Sequence, residues 1–143
     1  MAEDDPLLKL LRSEEGLRLH SYKDSLGYDT VGYGRCIDAR AGGGITLAEA
    51  EYLLANDAAK VRNQLTVRLP WYLSLDQARK TVLEAMAFQL GTTGLLGFSR
   101  MLDFMEKARW KEAAAEMRSS LWFKQTQARA DRFAKVIEDG KLP

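Results

Sequence analysis

Glu15, Asp24 and Thr30 stand nine and six residues apart in the run EGLRLHSYKDSLGYDTVGYG, which spans Glu15 to Gly34. A carboxylic acid at a helix end, facing a carboxylate and a hydroxyl on an adjoining hairpin, is the set that hydrolysis of a glycosidic bond requires. One group protonates the leaving oxygen, and the others hold and activate a water. Glu14 competes with Glu15 for the acid's place. Adjacent helical residues point about 100° apart, so both cannot face one cleft, and only Glu15 directly precedes Gly16. All three also have plainer readings: Glu15 is a helix-end carboxylate on the surface, Asp24 opens the turn sequence Asp-Ser-Leu-Gly, and Thr30 is a β-branched residue suited to a strand.

The flanking pattern supplies elements able to carry these groups. Asp5 followed by Pro6 reads as an N-cap and first helical position, Leu7, Leu8, Leu10 and Leu11 form an apolar stripe, and Gly16 permits a left-handed stop. From Leu17 to about Ile45 the residues alternate and are broken by turn formers, which predicts a small antiparallel sheet. Thr46 with Glu49 is a capping box opening a helix, and Ser74 with Gln77 reads as a second one before a buried helix that ends at Gly91. Further helices fit Phe98 to Lys107, Arg109 to Ser119 and Thr126 to Asp139. The predicted class is α+β in a single domain, 1–143. A sheet lobe covers about 16–46, a connecting helix about 47–65, and a mostly helical lobe about 70–143, with which the N-terminal helix is grouped.

Composition narrows the partners. Formal net charge is +1, from 21 basic and 20 acidic side chains, which excludes the basic excess of a nucleic-acid binder. Residues 100–143 carry 10 basic against 7 acidic side chains, a mild bias that could favour an anionic polymer. With one cysteine, Cys36, and one histidine, His20, neither an intrachain disulfide nor a usual zinc set can form, so no metal and no cofactor is expected. Cys36 reads as a buried free thiol. Trp71, Trp110 and Trp122 lie in or beside amphipathic stretches and read as core more readily than as sugar-stacking platforms. The opening MAEDDPLLKLL is acidic, without a basic leader, and no run of about 18 apolar residues occurs. The expectation is a monomer made in a bacterial cytoplasm, with no stable membrane insertion.

From about Leu7 to Val136 the chain resembles the phage-type lysozymes, or endolysins, of glycoside hydrolase family 24. The resemblance is carried by the Glu15 to Gly34 run, by AFQLGTTGLLGFSRML at 87–102, RWKEAA at 109–114 and WFKQTQARADR at 122–132, in family order. It implies a lysozyme-like fold and a muramidase acting on bacterial peptidoglycan, reaching the wall after release by another factor. By the same resemblance Glu15 matches the general acid, and Asp24 and Thr30 match the groups that hold the attacking water in an inverting scheme. Arg129 matches a supporting arginine behind the acid, and Phe88 and Gln89 match cleft residues that bind sugar. The apolar neighbours Ala128, Phe133 and Val136 suggest that the helix of Arg129 has a buried face. A lytic transglycosylase needs a Glu but no water, so Asp24 and Thr30 argue against it. A non-catalytic peptidoglycan-binding module has no need of all three groups.

Two departures from the family pattern stand out. Arg35 follows the Gly-Tyr-Gly motif where a histidine is usual, which leaves a permanent charge at that place. The stretch between Arg35 and Thr46 is also short, so the upper wall of the sheet lobe differs from that of longer members. Cys36, Met101 and Glu116 occupy positions where relatives touch sugar, but with other side chains, and they receive no role.

Overall fold

The computed structural model describes residues 5–143; residues 1–4, part of the acidic opening, lie outside them. The chain divides into two units, one reaching to Tyr52 and the other covering Leu53–Pro143. In the first, helix α1 covers Pro6–Glu15, with the Asp5 side chain accepting from Leu7 N–H and Gly16 ending it at φ 68°. The backbone N–H of Gly16 closes on the Arg12 carbonyl, so the acid-bearing end of the helix is set by a residue that tolerates this torsion. Strands β1 (Arg18–Lys23), β2 (Asp29–Gly32) and β3 (Arg35–Cys36) follow, antiparallel in the order β1-β2-β3. Register sets Thr30 opposite Tyr22 on one side and Cys36 on the other, making β2 the central strand. The sheet stops at Cys36, short of the expected Ile45, and the chain continues as a 3-10 turn over Ala39–Ala41.

Helix α2 runs Leu47–Arg68, three residues beyond the expected end at Leu65, and stops ahead of Pro70. Its capping box is made as the spacing predicts: Glu49 N–H donates to Thr46 Oγ1 at 3.1 Å, and Thr46 N–H donates to Glu49 Oε1 at 2.8 Å. In the second unit helix α3 covers Gln77–Leu96. Its cap corrects the sequence expectation, because Asp76 accepts from Arg79 N–H while Ser74 is absorbed into a 3-10 turn over Pro70–Ser74. A carboxylate directly before the first helical residue is the better cap. Gly91 takes φ 77° and breaks α3 where a stop was expected, but the helical path resumes to Leu96. Helices α4 (Ser99–Glu106), α5 (Trp110–Arg118), α6 (Leu121–Gln125) and α7 (Gln127–Asp139) complete the unit; the Trp122 region, read as a spacer, is itself the short helix α6.

The apolar core lies in the second unit, around Leu65, Leu83, Met86, Leu95, Met117 and Ile137. Trp122 is buried between Phe98 and Phe133, and half-buried Trp71 and Trp110 pack against the same core, as the sequence pattern implied. Among the described residues of the first unit the only buried side chains are polar, Thr30 and Asp38. The stripe of α1 buries none of its residues, with Leu7, Leu10 and Leu11 exposed. The division accordingly groups α1 with the sheet that follows it after two residues, whereas the sequence pattern grouped it with the helical lobe. No helix among the described residues is long and apolar enough to cross a membrane. The fold class is α+β, lysozyme-like, with a small antiparallel sheet and a mostly helical remainder.

Candidate functional site

Glu15 closes α1, and its side chain is exposed. Its carboxyl lies against Gly34: a Cβ on that glycine would stand 2.8 Å from Glu15 Oε2 and 3.1 Å from Cδ. Gly34 also takes φ 80°, a torsion that L-residues disfavour. The Gly-Tyr-Gly end of the motif therefore makes room for the Glu15 carboxyl at the motif's start, a contact that spacing alone does not disclose.

Asp24 and Thr30 are tied together through one carbonyl. Tyr28 O accepts both from Asp24 N–H at 2.9 Å and from the Thr30 hydroxyl at 3.0 Å. Asp24 Oδ1 accepts from Leu26 and Tyr28 N–H, each at 2.9 Å, so the residue does close its own turn, as the plainer reading held. Oδ2 accepts no hydrogen bond among the described residues and is free for another donor. The Thr30 hydroxyl has a single proton, and that proton is committed to Tyr28, so toward a water its oxygen can only accept. Two acceptors bound to one water take both its protons and leave a lone pair free to attack.

In the second unit Phe88, Gln89 and Arg129 line one groove of about 430 Å³, together with Leu54, Val61 and Phe133. Phe88 is 51% exposed, which places it on the groove wall and outside the core. Arg129 Nη1 donates to Gln89 Oε1 at 2.8 Å, joining two of the expected site residues. Arg129 is exposed: the buried face of α7 is made by Ala130, Ala134, Val136 and Ile137, while Ala128 is exposed and Phe133 half-buried. The expected buried face of this helix is present and includes Val136, but Arg129 lies off it: at i,i+4 it shares the groove-facing side with half-buried Phe133. Glu84, which also lines the groove, is held by the Tyr72 hydroxyl and by Arg62 Nε at 3.1 Å. Burial, and then the Glu84 carboxylate, push the Tyr72 phenol above its ordinary range.

Several polar partners escaped the sequence reading. Arg35 makes a bidentate pair with Glu49, Nη1 to Oε1 and Nη2 to Oε2, both at 2.7 Å. The guanidinium and then the Thr46 N–H hold the Glu49 carboxyl down to about 2. One carboxylate thus serves the α2 cap and the charge that departs from the family pattern. Asp38, buried to 6% exposure, pairs with Arg40 and accepts from Asp29 N–H at 3.1 Å, and its carboxyl is held well below the usual range chiefly by the Arg40 side chain. Asp38 caps the 3-10 turn as well, and an Asp before a Gly-rich stretch was the one available signal. Cys36 is half-buried rather than buried, with its sulfur close against Gly43.

Comparison with known proteins identifies the family. A family model described as phage lysozyme matches residues 12–134. "Probable T4-type lysozyme 1" of Dictyostelium discoideum is 33% identical, over 93% of this chain and 94% of that protein. The pre-baseplate central spike protein Gp5 of Enterobacteria phage T4 is 32% identical over 98% of this chain, which spans only 29% of the spike protein's length. An endolysin of Acyrthosiphon pisum secondary endosymbiont phage 1 is 30% identical over 76% of the chain and 73% of its own length. Because the matched residues 12–134 take in Glu15, Asp24, Thr30 and the groove residues of the second unit alike, one family accounts for both units, and the chain belongs to the phage lysozyme family.

Proposed function

We propose that this lysozyme-family glycoside hydrolase is an endo-acting muramidase that cleaves the β-1,4 bond between N-acetylmuramic acid and N-acetylglucosamine in bacterial peptidoglycan. Glu15 gives its proton to the glycosidic oxygen. Asp24 Oδ2 and Thr30 Oγ1 hold a water, which attacks the anomeric carbon from the opposite face and passes a proton to Asp24. The product forms with inverted configuration. Phe88 and Gln89 are assigned to the sugar, an aromatic face for a ring and an amide for its N-acetyl groups, and Arg129 to a supporting role. The mechanism uses no cofactor, and the chain works as a monomer in wall degradation during phage lysis, delivered by another factor.

The observation that supports this reading best is the shared Tyr28 carbonyl, which fixes the Thr30 proton and leaves two oxygens that can only accept. The test is to incubate purified protein with peptidoglycan and weigh the released fragments by mass spectrometry. New reducing ends support the muramidase. Anhydro ends would make the enzyme a lytic transglycosylase, and an absence of fragments would leave a binding module.

A further inference from the structure

Resting on that reading, we infer that Asp38 and Arg40 are positioning residues for the reaction: their ion pair braces the segment between Asp24 and Thr30. Four donors converge on the Asp38 carboxylate. Oδ1 accepts from Arg40 N–H and from Arg40 Nε, both at 2.9 Å, and Oδ2 accepts from Arg40 Nη2 at 2.6 Å and from Asp29 N–H at 3.1 Å. A carboxylate has about four lone-pair sites, so this one is saturated. Its orientation is fixed from both sides.

The clamp reaches the segment at consecutive residues. Arg40 Nη2 also donates to Gly27 O at 3.2 Å, within the turn that Asp24 closes, and the guanidinium lies 5.5 Å from the Tyr28 ring centroid. Asp38 holds the N–H of Asp29, the residue before Thr30. Gly27, Tyr28 and Asp29 are therefore gripped from outside, and between them stands the Tyr28 carbonyl that joins Asp24 to Thr30. Loosening the grip lets that carbonyl rotate and moves the two water-holding oxygens relative to each other. A displacement of about 1 Å at a reacting group costs on the order of 100-fold in rate.

A plain loop staple predicts something different. It would lower the fraction of folded protein and leave turnover per folded molecule unchanged. The test uses the full chain and dyed peptidoglycan, with the folded fraction read by circular dichroism at the assay temperature. Arg40→Ala is the first variant, because the Arg40 side chain is 67% exposed and its removal leaves no cavity. The expected result is a kcat lower by about 10- to 100-fold per folded molecule with KM within about twofold, since the polymer is held elsewhere. Arg40→Lys keeps the charge but cannot reach Asp38 and Gly27 as a fork, so its kcat falls between those of wild type and Arg40→Ala. If Arg40→Ala melts below the assay temperature, Arg40→Lys alone carries the test, and a kcat below wild type at unchanged KM supports the clamp. A wild-type kcat in the folded variant, or a loss confined to KM, overturns it. Asp24→Asn run alongside separates the two levels: if it too keeps wild-type turnover, the reading of Asp24 has failed, whereas an impaired Asp24→Asn beside a normal Arg40→Ala defeats only the positioning role.

Discussion

At the scale of single residues the place of the proposed acid, Glu15, is tied to a glycine, because its carboxyl lies against Gly34. Gly34→Ala would bring a Cβ to 2.8 Å from Glu15 Oε2 at a φ of 80°. The carboxyl is the free end of a side chain and can swing aside, so the steric clash displaces the acid, and the torsion costs roughly 1–2 kcal/mol. Gly32 is a matched control, with φ 72° and nothing within 4 Å of its virtual Cβ. Both alanine variants should lose similar stability in urea melts, and only Gly34→Ala should also lose turnover. Equal turnover in the two would show that the Gly34 contact has no bearing on the acid. A parallel pair tests the assignment directly: Glu15→Gln should keep the fold and lose about 100- to 10,000-fold in rate, the usual worth of a general acid, while Glu14→Gln should change little. The reverse ranking would move the acid to Glu14. The proposed acid and water-holding groups were legible in the sequence because they cluster within twenty residues of one motif. The Arg35–Glu49 pair and the reach of Asp38 to Asp29 N–H and of Arg40 to Gly27 O were not, because partners 9 to 14 residues apart depend on how loops return upon the sheet.

At the scale of elements, local chemistry predicted helix starts better than burial. The Thr46 and Glu49 box is made, whereas Ser74 and Gln77 fit the same pattern and lost to Asp76, one residue from the helix. Periodicity showed where apolar residues recur, but it did not say which of them meet a partner. Leu47, Leu53 and Leu54 of α2 are exposed, and only Val61 and Leu65 of that helix are buried. Between α4 and α5 the chain adopts a turn that its sequence does not favour. Ala108 has φ 57°, among the described residues the one non-glycine residue with positive φ, while its N–H reaches Met105 O and the next N–H reaches Phe104 O. This is a left-handed helix cap built with a Cβ in place. Ala108→Gly should relieve about 1–2 kcal/mol of torsional strain, offset in part by the greater freedom of glycine in the unfolded chain. The expected net gain is about 0.5–1 kcal/mol in thermal or urea unfolding, with turnover unchanged. A loss of stability would mean that the entropy cost outweighs the strain.

At the scale of the whole molecule the two units are held by different forces. The second has the apolar core, and the first rests on backbone ladders and on carboxylates pinned by Arg40 and Arg35. Both carboxyls, Asp38 and Glu49, sit below their ordinary values in the folded protein, in each case mainly through the arginine partner. A depressed folded value means that the unfolded chain binds the proton more readily as pH falls. The stabilisation is therefore complete above the ordinary carboxylate range and is lost on acidification, for Glu49 between about pH 4.5 and about 2. The apolar burial around Leu65, Met86 and Ile137 has no such dependence. Acid should thus loosen the sheet unit first. In two-dimensional amide NMR from pH 7 down to 2, the signals of Asp29, Arg40, Thr46 and Glu49 should lose dispersion while those of Ala113, Met117 and Ala134 keep theirs. Glu49→Gln should remove part of the pH dependence around the start of α2 and leave that at Asp29 intact, because Asp38 has its own partner. If all signals collapse together, the two units unfold as one, and the polar network contributes no separate acid sensitivity.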